Sequence, residues 1–393
     1  MNSNAAQAGD VVGGVRLAEA PVDWALAARL AGRLVRPGPE TDRGEARELV
    51  DGLRRSANLA AGHVARITGL TPADGSDPAT AGVSNVVVVD RARWAQANTE
   101  LLATLTAGAG PGAGAGARGT APSHATRLTG AAEAAAVLAV LSGKVLGQFD
   151  PFTRSPGPGG VPRGRLLLVA PNVLQVERDL DVDPVDFRLW VALHEQTHAL
   201  QFAAAPWLVD HLRARTGALL ADLAREDGPG GSDGEGAEGG GDRQRARALA
   251  HLVARVLRGD DDAPGIDSLL RPAERLVFDE VGAVMALLEG HADVAMDAVG
   301  PAVVPTVRRI RQRFEARRSG SRPGRRGSAD RVLRRLLGLD LKLAQYREGA
   351  AFVREVSRAV GQDGLNAVWA APANLPGARE IADPRAWVRR VHG

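Results

Sequence analysis

Apolar residues recur at intervals of three and four through most of this chain, and that period commits it to helix. The pattern holds over 22–34, 43–67, 91–105, 127–146, 184–204, 206–225, 243–258, 272–298, 301–318 and 340–360. Two segments, 85–90 and 164–170, instead carry the short β-branched and leucine runs of strands. The expected fold is therefore mainly α with a small β-sheet, an α+β class. With 45% hydrophobic and 24% charged residues over 393 positions, the chain has enough apolar surface to bury a core. A flexible N-terminus at 1–14 precedes a single unit at 15–393. Its first part, 15–160, is mostly helical, and 161–393 carries the chemistry. Three stretches lack the apolar content that offsets ordering entropy: 107–119 (Gly/Ala), 227–242 (Gly with acids) and 317–329 (basic, with Gly, Ser and Pro). They are expected to be flexible insertions.

Several function classes fall away on composition. The chain has no cysteine, which removes disulfides, thiolate metal sites, iron–sulfur clusters and cysteine nucleophiles. Any metal must be held by histidine and carboxylate. A formal charge of +3 is too small a field for a nucleic-acid binder. The first residues lack a basic segment followed by an apolar one, and no apolar run approaches the roughly 20 residues of a membrane span. A cytoplasmic protein without membrane or nucleic-acid partners is expected. Gly13-Gly14 and the run near Gly110 lack the strand and helix that flank a phosphate loop, and no GxSxG elbow is present. Oligomeric state is not legible.

The most informative stretch runs from Asp183 to Phe202 and contains His194-Glu195-Gln-Thr-His198. Asp183 suits the cap of a helix and Pro184 its first position. Within that helix His194 and His198 lie one turn apart on one face, so both imidazoles can reach one zinc ion. Glu195 stands about 100° round from His194, beside the metal, where a carboxylate can act as general base toward water. Phe187, Leu189, Trp190, Val191, Leu193 and Leu200 make the rest of the helix apolar. Buried among them, His, Glu and His would be costly without a shared partner.

Zinc needs a third protein ligand. His63, His124, His211, His251 and His392 lack acidic company, and surface or core roles suit them. Glu289 and Asp293 again lie one turn apart in an apolar helix. They fit a ligand carboxylate, Glu289, and a second carboxylate, Asp293, that orients a zinc histidine. His291 leaves that helix on nearly the opposite side from Glu289 and reads better as a hydrogen-bonded helix histidine.

His194, Glu195 and His198 followed by Glu289 and Asp293 resemble the HExxH…ExxxD pattern of the thermolysin-like gluzincins. The 91 positions from His198 to Glu289 are more than those enzymes use. A closer resemblance covers nearly the whole chain. It is carried by Val86-Val-Val-Val-Asp90, Leu146-Gly-Gln-Phe-Asp-Pro-Phe152, Leu168-Val-Ala-Pro-Asn172, the HEQTH helix and Leu288-Glu-Gly-His-Ala-Asp293. Gln345-Tyr-Arg-Glu-Gly-Ala-Ala-Phe352 and Ile381-Ala-Asp-Pro-Arg-Ala-Trp387 complete it. The chain resembles an actinobacterial family of zincin-like zinc metallopeptidases, sometimes labelled as associated with deazaflavin-coenzyme biosynthesis. The resemblance implies a zincin-like fold, with an active-site helix and a downstream glutamate helix, and a zinc site in a single catalytic unit.

Other groups extend this reading. The strand at 164–170 is expected at a sheet edge, where an extended peptide adds as one more strand. Asn172 reads either as an amide donor to substrate or as the cap of a helix over 173–180. The Gln148-Phe-Asp150-Pro segment reads as a turn without chemistry. Tyr346, the only tyrosine, is a candidate catalytic donor to an oxyanion, and Arg347 is a candidate for the same role or for a substrate carboxylate. The expected function is a zinc-dependent hydrolase of a peptide or other amide substrate, with Glu195 as base. A silent zinc-stabilised scaffold is the alternative.

Overall fold

Side-chain oxygens of four residues start four of the helices. Asp23, Asp42, Ser123 and Asp183 accept from the backbone N–H three residues on, at 2.9, 2.9, 3.1 and 2.9 Å. Each satisfies a donor that the first helical turn leaves without a partner. In the computed structural model these begin α1 (Trp24–Leu34), α2 (Arg43–Thr68), α5 (His124–Leu141) and α7 (Pro184–Ala204). The structure describes residues 11–12, 15–16, 22–106, 123–157, 160–224, 272–318 and 339–393. The expected insertions at 107–119 and 227–242 and the expected helix at 243–258 lie outside these residues.

Among the described residues the other helices are α3 (Pro78–Ala81), α4 (Arg91–Thr106), α6 (Ala170–Leu180), α8 (Trp207–Ala224) and α9 (Pro272–Ala298). They are followed by α10 (Val307–Arg318), α11 (Leu339–Asn366), α12 (Ala378–Ala382) and α13 (Pro384–His392). Of the basic stretch expected to be flexible at 317–329, Arg317 lies in α10 and pairs with Asp179 at 3.6 Å, and 319–329 lie outside the described residues. In the N-terminal segment, β1 (Val11–Val12) pairs antiparallel with β2 (Val15–Arg16). Among the described residues no helix is long and apolar enough to cross a membrane. The fold is mostly helical around a three-stranded sheet, the α+β class expected.

That sheet corrects two expectations. β5 (Pro162–Val169) lies at its centre, parallel to β3 (Asn85–Val89) and antiparallel to β4 (Gly147–Pro156). The strand expected at an edge is thus paired on both sides, and β4 takes the edge. β4 also contains Gln148-Phe-Asp-Pro151, read from sequence as a turn. The strand survives the proline through an irregularity between Asp150 and Ser155, and buried Asp150 holds it by accepting from Phe152 and Thr153 N–H at 2.9 and 3.1 Å. Proline is tolerated where a ladder is already interrupted.

Alternation along β5 divides the core. Leu166 and Leu168 pack into the cluster with Leu53 of α2 and Leu193 and Leu200 of α7. Leu167 and Val169 face Ala31 of α1, Trp94 of α4 and Ala135 of α5. Fully burying one such leucine contributes about 1.5–3 kcal/mol, so a one-residue slip of β5 would move every one of these side chains to the wrong layer. α7 is consequently pinned between α2, the sheet and α9. The crossing of α9 and α11 is closer still, because Gly290 and Gly349 face each other there: a Cβ on Gly349 would run into the Ala286 carbonyl.

Candidate metal centre

α7 presents His194 and His198 one turn apart, and α9 brings Glu289 across to them. The two imidazole Nε2 atoms are 3.2 Å apart. Glu289 Oε2 is 3.3 Å from His194 Nε2, and Oε1 is 3.6 Å from His198 Nε2. Ligands at about 2.0–2.1 Å on the corners of a tetrahedron around zinc would be about 3.3–3.4 Å apart. The donor set therefore fits a single tetrahedral zinc ion, and His194 and Glu289 are each 23% exposed. The rings stand at 89°, so both nitrogens converge without the rings stacking.

Glu195 is 7% exposed and is not in that triad. Burial pushes its carboxyl up to about 7, the charge of Glu289 adds to the rise, and His194 opposes it. Its neighbour is Gly147 at the start of β4, where a Cβ would lie 2.6 Å from Glu195 Cγ. Only a glycine lets the strand pass this close to the carboxylate. For His194, burial favours the neutral ring, but the hydrogen bond and charge of Glu289, followed by Glu195 and Asp293, outweigh it and raise the pKa.

Gln201 was not singled out from sequence, and it organises the other side of the site. Its Nε2 is 3.0 Å from both the Leu288 carbonyl and His291 Nδ1, and its Oε1 is 3.0 Å from His198 Nδ1. A carbonyl can only accept, so the amide NH2 must face Leu288 and its oxygen must face His198. His198 then carries its proton on Nδ1, which leaves the Nε2 lone pair for a metal. His291 is 2% exposed, packs against Trp369 at 5.4 Å, and is the hydrogen-bonded helix histidine expected. Burial, then the charge of His198, pulls it down to about 4, so it stays neutral and accepts from Gln201.

Asp293 was expected to orient a zinc histidine. Its Oδ1 pairs with Arg311 at 2.8 Å, and Arg311 also holds Asp297 at 2.7 Å, while the Asp293 charge acts on His194 as described. Asn172 follows neither reading. It is 2% exposed, donates to the Ser142 and Val145 carbonyls at 2.7 and 2.6 Å, and accepts from Arg91 at 2.6 Å, tying α6 to the end of α5. α6 starts without a side-chain cap. The side chains of Tyr346 and Arg347 lie outside the described residues.

A family model described as zincin-like metallopeptidase matches residues 22–388. The chain belongs to the zincin-like metallopeptidase family. Within that family's span, the convergent His194, His198 and Glu289 are a possible site for a metal, typically zinc. Among solved structures, a candidate hydrolase with a novel fold from Chloroflexus aurantiacus is similar, at a TM-score of 0.60 and 29% identity, covering 94% of this chain and 98% of that one. A comparison with curated proteins finds no match.

Proposed function

We propose that this zincin-like protein is a zinc-dependent hydrolase that cleaves amide bonds, and that it acts on peptides. His194, His198 and Glu289 would hold the ion. Bound there, zinc supplies Lewis-acid polarisation of a carbonyl and activation of water. Glu195 accepts a proton from the attacking water as the new C–O bond forms. It passes that proton to the leaving nitrogen as the C–N bond breaks. The observation that carries this reading is Glu195 itself: a carboxylate outside the ligand triad, buried next to His194 and against Gly147 of β4. A carboxylate in that position can take a proton from water and return it, and a purely structural metal site has no use for it.

One further feature favours a peptide. β4 is an edge strand and passes over Glu195 at Gly147, so an extended chain can pair along it close to the base. Tyr346 is the proposed donor to the developing oxyanion. The test compares wild type with Glu195→Gln on a peptide library, with zinc content measured in both. Turnover should fall by roughly 10²–10⁴-fold while zinc is kept. Wild-type turnover in the variant, on a substrate that chelators protect, would overturn the mechanism. A zinc-loaded protein that cleaves nothing in the library would favour the scaffold reading.

A further inference from the structure

Beyond the metal, α7 leads to a second feature. A cavity of about 180 Å3 lies at its C-terminal end, walled by Phe149 and Pro151 of β4 and by Ala199 and Phe202 of α7. Arg163 lines it, 7% exposed, with a buried Nε that has no hydrogen-bond partner among the described residues. Its Nη2 makes a long contact, 3.4 Å, to Ser76 Oγ.

Three other arginines of low exposure are paired with carboxylates. Arg165 holds Asp150 and Glu100 at 2.9 and 3.1 Å, Arg188 holds Glu177 at 2.8 Å, and Arg311 holds Asp293 and Asp297. Asp74, also on the cavity wall, feels the charge of Arg163, but its carboxylate is tied to the Ser76 N–H at 3.0 Å. A guanidinium this buried, with free donor capacity and no carboxylate in contact among the described residues, is matched by an incoming anion. Exposed Arg154 at the same cavity adds a second positive charge. The aromatic pair Phe149 and Phe202, 5.7 Å apart, makes the remaining wall apolar. That combination suits a carboxylate on an apolar stem better than a compact, fully hydrated anion.

The cavity shares both walls with the catalytic centre. Phe149 is two residues beyond Gly147 on β4 and so on the same face of the strand, and Phe202 is two helical turns beyond Glu195. Seven residues of helix span roughly 10 Å. An extended peptide covers that distance in about three residues.

We propose that this cavity is a substrate subsite for a carboxylate about three residues from the cleaved bond, with Arg163 as the specificity-determining residue. Its role in specificity rests on the hydrolase reading above, whereas carboxylate binding itself does not. The carboxylate belongs either to an acidic side chain or to the end of a peptide.

The test follows the Arg163 Nε–H signal by NMR in zinc-loaded Glu195→Gln protein, with the signal assigned by its loss in Arg163→Lys. The probes are N-acetyl-glutamate amide, N-acetyl-leucine free acid, N-acetyl-glutamine amide and inorganic phosphate. A saturable shift is expected with at least one carboxylate probe, about tenfold tighter than with the neutral amide. Whichever acid binds tighter identifies the source. In Arg163→Met, read instead through the ring signals of Phe149 and Phe202, acid and amide should bind alike. Equal responses to acid and amide, no saturable shift, or phosphate binding as tightly as carboxylate would each overturn the proposal. Because the variant used does not depend on turnover, failure here is separate from failure of the hydrolase reading, which the library and zinc content decide.

Discussion

His198 offers Nε2 to a metal only while its proton sits on Nδ1, and the Gln201 oxygen is what holds it there. Gln201→Leu removes that acceptor and strands the Leu288 carbonyl and His291 Nδ1. Zinc affinity, read by competition with a chelator, should fall about 10 to 100-fold. The unmet acceptors should cost about 1–3 kcal/mol of stability. Gln201→Glu keeps an acceptor for His198, so its affinity should stay near wild type while its stability falls. Equal affinity losses in the two variants would remove Gln201 from the orienting role. The histidine pair was legible in sequence because helix spacing alone puts residues 194 and 198 on one face. Gln201 was not: three residues from His198 it resembles any polar helix residue, and its other partner lies 90 positions away. Asn172 was misread for the same reason, since its partners Ser142, Val145 and Arg91 are all distant in sequence.

The elements that place these residues depend on two close approaches. α11 packs on α9 through Gly349 and Gly290, the latter adjoining Glu289. Gly349→Ala forces the Ala286 backbone away, which should cost roughly 1–3 kcal/mol in chemical denaturation and weaken zinc binding as Glu289 shifts. Gly217→Ala in α8, where an added Cβ meets nothing within 4 Å, should instead be neutral or gain up to about 1 kcal/mol. Similar losses in both variants would mean that helix propensity, and not the crossing, governs the result. Helices were legible as elements because their period is local. α7 and α9 begin and end where the sequence put them. The sheet was legible only in part. The β-branched and leucine runs of β3 and β5 stand out, whereas the Asp150-Pro151 step disguises β4. Which strand is central depends on pairings across the chain, Val86 with Leu166 and Phe149 with Leu166, that no local pattern encodes.

At the scale of the whole molecule, the metal centre joins segments that are 91 positions apart, from His198 to Glu289. The carboxylate–histidine pattern was readable on each helix, but their meeting required the core that packs α7 against α9. A ligand that binds only the folded state stabilises it by mass action, about 4 kcal/mol at a thousand times its dissociation constant. Stripping the protein with a chelator should lower its melting temperature by several degrees, and one equivalent of zinc should restore it. An unchanged melting curve would mean that no tight site forms between α7 and α9. The most direct measurement of the central claim is zinc content per chain in wild type, Glu195→Gln, His198→Ala and Glu289→Ala, all purified at neutral pH. Two histidines and one glutamate as ligands, with Glu195 outside the set, predict about one zinc in the first two proteins and little in the last two. Full zinc in His198→Ala or Glu289→Ala, or its loss in Glu195→Gln, would contradict the account.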